Sequence, residues 1–252
     1  MNLHNFVELC MCPAPLGNEH TAKQLIRSML PNGLEISEDV AGSAIVRKPG
    51  EKPGLTFFAS LSQPVVLVTG KKSDGAWELQ PLGTGKTLEP MNGWKVMDSG
   101  GAQAKLEVKD GALRLTEDRG VQIGSLLTRQ PDWTQDVLSV SCAGIEDRVG
   151  CWLLTELLRE MPDVKAEITC IFLAQEQHCT KVAELAMNET DAAVAIRLAS
   201  AKVNDINLTG APVNAGGGPV LKLRERYVST DGRLMDLERM ACREAGVPFQ
   251  HE

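Results

Sequence analysis

The chain of 252 residues has no basic surplus, since 33 Asp and Glu stand against 26 Lys and Arg for a formal net charge of -7. That balance offers no electrostatic footprint for nucleic acid or for an anionic bilayer, so neither is an expected partner. No apolar run has the length needed to cross a bilayer. The opening residues Met1-Asn2-Leu3-His4-Asn5 also lack the basic segment and apolar stretch of an export signal. The expectation is a soluble, cytoplasmic protein. Zinc-finger spacing is missing too: Cys10-x-Cys12 is the only close cysteine pair, with no second pair to complete a site, and it reads as loop thiols. Cys142, Cys151, Cys170, Cys179 and Cys242 lie in or beside apolar segments, where a free cysteine behaves as a small hydrophobe. Without an export signal, the seven read as reduced thiols.

What the chain does have is a helix and strand alternation with one interruption. Ala22, Leu25, Ile26, Met29 and Leu30 recur at helical spacing until Pro31-Asn32-Gly33 ends the pattern. Short strand-like runs follow at Leu34 to Ile36, Ala44 to Val46 and Leu55 to Ala59, the last reading as buried. From about Gly70 to Ser141, turn signals at Ser73-Asp74-Gly75, Met91-Asn92-Gly93, Ser99-Gly100-Gly101 and Lys109-Asp110-Gly111 punctuate short strands with no helical period. Beyond them Val149, Leu153, Leu154, Leu157 and Leu158 make a helix stripe, and Ile168 to Ala174 a continuous apolar strand. Val182, Leu185 and Ala186 suit another helix, Ala192 to Leu198 a second apolar strand, and Leu234, Leu237 and Ala241 a last helix.

This order predicts an α/β layer sandwich with parallel strands covered on both faces: residues 1–69 and 141–252 form the α/β domain, and residues 70–140 a β-rich insertion. Ligands of such sheets sit at the C-terminal strand ends, so the residues just after Ala59, Ala174 and Ile196 are the ones to inspect.

Those positions carry a resemblance. Ala143-Gly144-Ile145-Glu146-Asp147-Arg148-Val149-Gly150-Cys151, followed by a helix, a strand and Gln175-Glu176, resembles the core of the glutamyl and deblocking aminopeptidases, metallopeptidase family forty-two, which includes the tetrahedral aminopeptidases. It begins at Phe6-Val7-Glu8-Leu9 and runs through Pro15-Leu16-Gly17 and Asp39-Val40-Ala41-Gly42 to Gly216-Gly217-Gly218-Pro219-Val220. The resemblance implies a zinc-peptidase-like α/β sandwich, a β insertion used in assembly, and two co-catalytic divalent metals that activate a water for a glutamate base. It places that base at Glu176 and a bridging carboxylate at Glu146.

Three further positions depart from the family pattern. Where members carry His-x-Asp this chain has Ser60-Leu61-Ser62; a metal-binding glutamate is replaced by Gln177, and a metal-binding aspartate by Arg197. A neutral amide is a poor zinc ligand, and a guanidinium cannot coordinate and repels a dication. Glu146 and Asp147 remain as residual metal candidates, although acidic residues in a first helical turn also suit the helix dipole. The resemblance ends at Arg243 to Gln250, where members continue, which implies a C-terminally truncated member.

The functional expectation is therefore a homologue that has lost the dinuclear site and acts as a non-catalytic or altered binding or assembly protein, with no cofactor. The alternative is a metal-dependent aminopeptidase using zinc or another divalent ion at a residual or rearranged site. Expected partners are copies of itself and a peptide or protein. Arg197 is expected to pair with Glu146 or Glu176, because carboxylates facing each other without metal need a cation. His178 and Cys179 offer a replacement pair, but neighbours on a helix point in different directions. Gly83-Thr84-Gly85-Lys86-Thr87 lacks the spacing of a phosphate loop and reads as a turn, and Gly216-Gly217-Gly218 as a flexible loop.

Overall fold

Ile168 to Leu173 are apolar on both faces of a strand apart from Thr169, and such a strand must lie inside a sheet covered twice. The computed structural model, which describes residues 3–83, 89–201, 203, 213–225 and 228–252, puts it there. Two units make up the chain, Met1–Ala199 and Ser200–Glu252. In the first, α1 (Leu3–Met11), α2 (His20–Met29), β1 (Glu35–Glu38), β2 (Ala44–Lys48), β3 (Glu51–Ser60), α3 (Ile145–Glu160), β12 (Ala166–Leu173), α4 (Lys181–Met187) and β13 (Ala192–Arg197) build an α/β sandwich. Its sheet has the order β1-β2-β12-β3-β13. Ile168, Cys170 and Phe172 face Leu9, Ile26, Leu154 and Leu158 of the first three helices. Ile171 and Leu173 face Ala186 of α4. Fully burying each large apolar side chain contributes about 1.5–3 kcal/mol.

The sheet is mixed, whereas the sequence suggests parallel strands. β12, β3 and β13 run parallel, but β2 is antiparallel to β12 and β1 to β2. The cause is the link between β2 and β3, only Pro49-Gly50, which cannot span the crossover that parallel strands require. β13 is also not an interior strand: it forms the sheet edge, and its residues alternate between half-buried and exposed. α1 goes unrecognised in the sequence because it is short, yet Phe6, Leu9 and Cys10 give it a buried stripe. Cys10 is thus a helix core residue rather than a loop thiol, while Cys179 is exposed and not part of an apolar core.

A six-stranded antiparallel sheet is inserted after β3. Its strands are β4 (Val65–Lys71), β5 (Trp77–Leu82), β6 (Lys95–Met97), β7 (Gln103–Lys109), β8 (Ala112–Arg119) and β9 (Leu126–Arg129), in the order β5-β4-β9-β6-β7-β8. Asp110-Gly111 makes the two-residue hairpin between β7 and β8, both residues at positive φ as such a turn requires. Val66, Val68, Val96, Leu106 and Leu127 form the sheet's own core under Trp77 and Trp94. The outer strands meet where Trp77 Nε1 donates to Asp118 Oδ2 at 2.9 Å. Of the stretch from Gly83 to Thr87, residues 84–87 lie outside the described residues. A short hairpin, β10 (Thr134–Gln135) and β11 (Val140–Ser141), returns the chain to α3.

The second unit pairs β14 (Val220–Leu221) in parallel with β17 (Gln250–His251), and β15 (Arg224–Glu225) with β16 (Val228–Ser229), around α5 (Gly232–Glu244). Asp231 caps α5, accepting from the amides of Arg233 and Leu234. Gly217 and Gly218 of the glycine run are packed against Gln250 and Pro248, while Gly216 borders open space. Gly218 has φ +88°, a Cβ there would collide with the Pro248 carbonyl, and Gln250 Nε2 donates to Gly218 O at 3.3 Å. Among the described residues no helix is long and apolar enough to cross a membrane.

Candidate functional site

β3, β12 and β13 run parallel and end at Ser60, Leu173 and Arg197, so the segments that follow them emerge at the same edge of the sheet. The start of α3 reaches this edge as well. Gly144, at φ +72°, turns the chain into the helix, and a Cβ there would strike the Gln63 side chain. Gln63 is buried; its Oε1 accepts from Ala14 N at 3.1 Å and its Nε2 donates to Ala143 O at 3.4 Å, tying the α1 exit to the α3 start.

Two side-chain pairs occupy the cleft. Arg197 Nη2 donates to Glu176 Oε1 at 2.9 Å, with Glu176 buried and Arg197 about one-third exposed. Gln177 Nε2 donates to Asp147 Oδ1 at 2.8 Å. Glu176 is aimed by its neighbour: Gln175 stands in the left-handed region at φ 57°, turning the chain sharply as it leaves β12. Gln175 N donates to Ser62 Oγ at 2.5 Å and to Glu19 Oε1 at 3.1 Å, and Gln175 Nε2 to Ala41 O at 3.0 Å.

Glu19 is the residue that sequence reasoning missed. It is buried, and its Oε1 also accepts from Ser62 Oγ at 2.5 Å and from Gly17 N at 2.9 Å. Ser62 thus bridges a buried carboxylate and the backbone at the base of Glu176. Glu19 lies just before α2 without a helical or strand pattern of its own, so only the fold brings it to Ser62.

Arg148 anchors the start of α3. Its side chain is fully buried, Nη1 donates to Leu61 O at 2.5 Å and Nη2 to Cys12 O at 3.2 Å. Beside it, burial pushes the Asp147 carboxyl up to about 7, while the positive charge of Arg148 opposes the rise. No hydrogen-bond donor among the described residues reaches Asp147 Oδ2 or Ser60 Oγ, both buried. Burial also raises the thiols of Cys10, Cys151 and Cys170 to about 12, which removes them as nucleophiles at neutral pH.

Of the positions singled out by sequence, Glu176, Gln177, Arg197 and Asp147 are joined in these two pairs, and Ser60 ends the neighbouring strand. Glu146 is exposed, and the partner of Arg197 is Glu176. His178 and Cys179 are exposed on the turn before α4. Among the described residues no three His, Cys, Asp or Glu side chains gather into a group able to hold a metal ion.

Comparison with known proteins agrees with this fold. A protein of Acetivibrio thermocellus whose name provisionally assigns it as an aminopeptidase is 23% identical over 94% of this chain and 77% of its own length. The TET aminopeptidase of a marine-sediment Thaumarchaeota archaeon superposes with a TM-score of 0.89 at 16% identity, over 99% of this chain and 80% of that one. The TET1 peptidase of Pyrococcus horikoshii, which can assemble into a tetrahedron or a large octahedral shell, gives 0.83 at 18% identity over 99% and 83%. Residues 108–252, more than half of the chain, match the M42 glutamyl aminopeptidase family, and the protein belongs to that family.

Proposed function

We propose that this chain is an aminopeptidase homologue in which an ion-paired, hydrogen-bonded cleft replaces the dinuclear metal site, and that it works as a non-catalytic or altered binding and assembly protein. The observation that carries this reading is the Arg197–Glu176 pair at 2.9 Å. A guanidinium sits on the carboxylate that the family resemblance makes the general base, so that carboxylate is neutralised by a cation that neither coordinates nor supplies a water. The other donors argue the same way: Ser60 offers a hydroxyl and Gln177 an amide already committed to Asp147, a poor set for zinc. These residues do not fit a two-metal centre.

In this reading residues 70–140 serve as the assembly-type insertion, and the partners are further copies of the chain and a peptide or protein in the cleft. One observation favours a second reading, a residual metal-dependent aminopeptidase: Asp147 keeps a buried oxygen without a donor, next to exposed Glu146. Metal analysis of protein purified without chelators, together with turnover of aminoacyl anilides, separates the two. Less than a tenth of an equivalent of metal and no turnover is expected. Near one equivalent of a divalent ion with turnover that chelation abolishes would establish the second reading instead.

A further inference from the structure

The five-stranded sheet has two edge strands, and they are finished differently. β1 is four residues long and carries Glu35 and Glu38, with Glu38 held by Lys23 at 2.7 Å and by Arg27 at 2.8 Å. Charge on a short edge discourages another strand from adding to it. β13 has no such protection. Its sequence Ala192-Ala193-Val194-Ala195-Ile196-Arg197 is apolar up to the last residue, and the side chain of Arg197 is turned to Glu176. The strand contains no proline and no lysine. An exposed apolar edge of this kind is a template for a further strand.

The register shows what that edge offers. Leu198 N donates to Phe58 O at 2.8 Å, so the backbone of Leu198, and by alternation that of Ile196 and Val194, faces β3. The N–H and C=O of Ala195 therefore point to the other side, where no strand of the described residues lies. Side chains alternate between the two faces of the sheet: Ala193 and Ala195 are exposed on one, Val194 and Ile196 half-buried on the other. The small alanines leave room for the larger side chains of an added strand, and Val194 and Ile196 give it apolar contact.

The edge is also short. A register shift between Ala192 and Val194 ends its regular part on one side, and on the other it runs out at the Arg197–Glu176 pair of the cleft. Four regular residues span about 13 Å, the length of a single extended peptide of about four to six residues. Pairing with the same edge of a second copy would bury on the order of 100–200 Å² per partner through this ladder, far below the roughly 800 Å² per partner of a stable interface. A lone strand is the occupant that fits.

We infer that β13 is the docking edge for an extended apolar peptide, which adds to the sheet as a further strand and reaches the Arg197–Glu176 end of the cleft. The inference rests on the binding part of the proposed function and names the chemistry of the partner: a proline-free apolar stretch recognised through its backbone.

The test uses the full chain and a capped, fluorescein-labelled peptide of alternating leucine and valine with a lysine tail for solubility, read by anisotropy. Saturable binding to the wild type is expected. Ala195→Pro removes an amide that donates to nothing within the sheet, so the thermal transition should stay in place. Binding should weaken by about tenfold, the value of one lost backbone hydrogen bond. The same peptide with alternate amides N-methylated should lose affinity for the wild type to a similar degree, a control that needs no protein variant. Hydrogen exchange at the Ala195 amide should slow when the unmethylated peptide is added. No saturable binding, binding indifferent to N-methylation, or protection on another strand instead of β13 would overturn the inference. So would a wild type that forms dimers in light scattering which Ala195→Pro dissociates, since the edge would then belong to a second copy. Metal content and turnover are read on the same samples. Bound metal with turnover would sink the proposed function whether or not the peptide docks, whereas failed docking without metal removes only the role of the β13 edge.

Discussion

The strand-end cleft and the six-stranded insertion are built on opposite terms. Among the described residues every buried charged side chain, namely Glu19, Lys23, Asp147, Arg148, Glu156, Glu167 and Glu176, lies outside the insertion, whose buried polar residues are only Ser125 and Thr128. Burying charge is costly unless each group finds partners, so a sheet that needs only to pack avoids it. The cleft keeps its charges and compensates them one by one: Arg148 with carbonyls, Glu19 with amide and hydroxyl donors, Glu176 with Arg197. The difference teaches that charge is buried in this fold only where the chain's own side chains and backbone are placed to answer it.

The comparison breaks hardest at Arg148. Arg148→Met should lower stability by about 3–5 kcal/mol in urea unfolding, because the Leu61 and Cys12 carbonyls lose their donors and the Asp147 charge loses its cation. Arg114→Met on β8, whose side chain is half exposed and pairs with Asp110 at 3.7 Å, should stay within about 0.5 kcal/mol. In the insertion the sensitive position is apolar instead: Leu106→Ala should cost about 2–5 kcal/mol by the same measurement.

A smaller effect is expected at the cleft mouth. Arg197→Ala should cost about 1–2 kcal/mol, between the values of exposed and buried pairs. A double-mutant cycle with Glu176→Gln should return most of that loss as coupling energy. Arg197→Asp should lower stability too, without producing aminopeptidase turnover, since Ser60, Ser62 and Gln177 remain.

The smallest effect sharpens the contrast on the surface. A hydrogen bond from Lys23, and the charges of Lys23 and Arg27, hold the Glu38 carboxyl below the usual carboxylate range, with Nζ–Oε2 at 2.7 Å and Nη2–Oε1 at 2.8 Å. A depressed folded pKa gives stability that is present above the unfolded value of about 4.3 and lost as pH falls through the folded value. Glu38→Gln should therefore lower the melting temperature slightly at pH 7, and the gap to wild type should narrow as the pH falls below the unfolded value.

The turns between β4 and β8 were legible in the sequence, since Lys109-Asp110-Gly111 and its companions mark strand ends by backbone geometry alone. The buried strand Ala166–Leu173 and helix α3 were equally legible, because their apolar residues recur at the period of the element. The antiparallel half of the sheet followed from the two-residue link Pro49-Gly50, but a hydrophobic pattern carries no strand direction. In the cleft, the partnership of Arg197 with Glu176 could be reasoned from charge, whereas Glu19 and Ser62 meet across 43 positions of sequence through contacts that only the folded chain creates.

The left-handed Gln175 carries a consequence for how this protein can change. A non-glycine residue in that region costs about 1–2 kcal/mol, so it must be held there. Its amide is bonded to Ser62 and Glu19 and its side chain to Ala41, segments that belong to other parts of the sandwich. None of those bonds involves Glu176 or Gln177. The direction in which the next two side chains leave the strand is thus maintained independently of what they are, and substitutions at 176 and 177 can drift, or acquire a new chemistry, from an unchanged starting geometry.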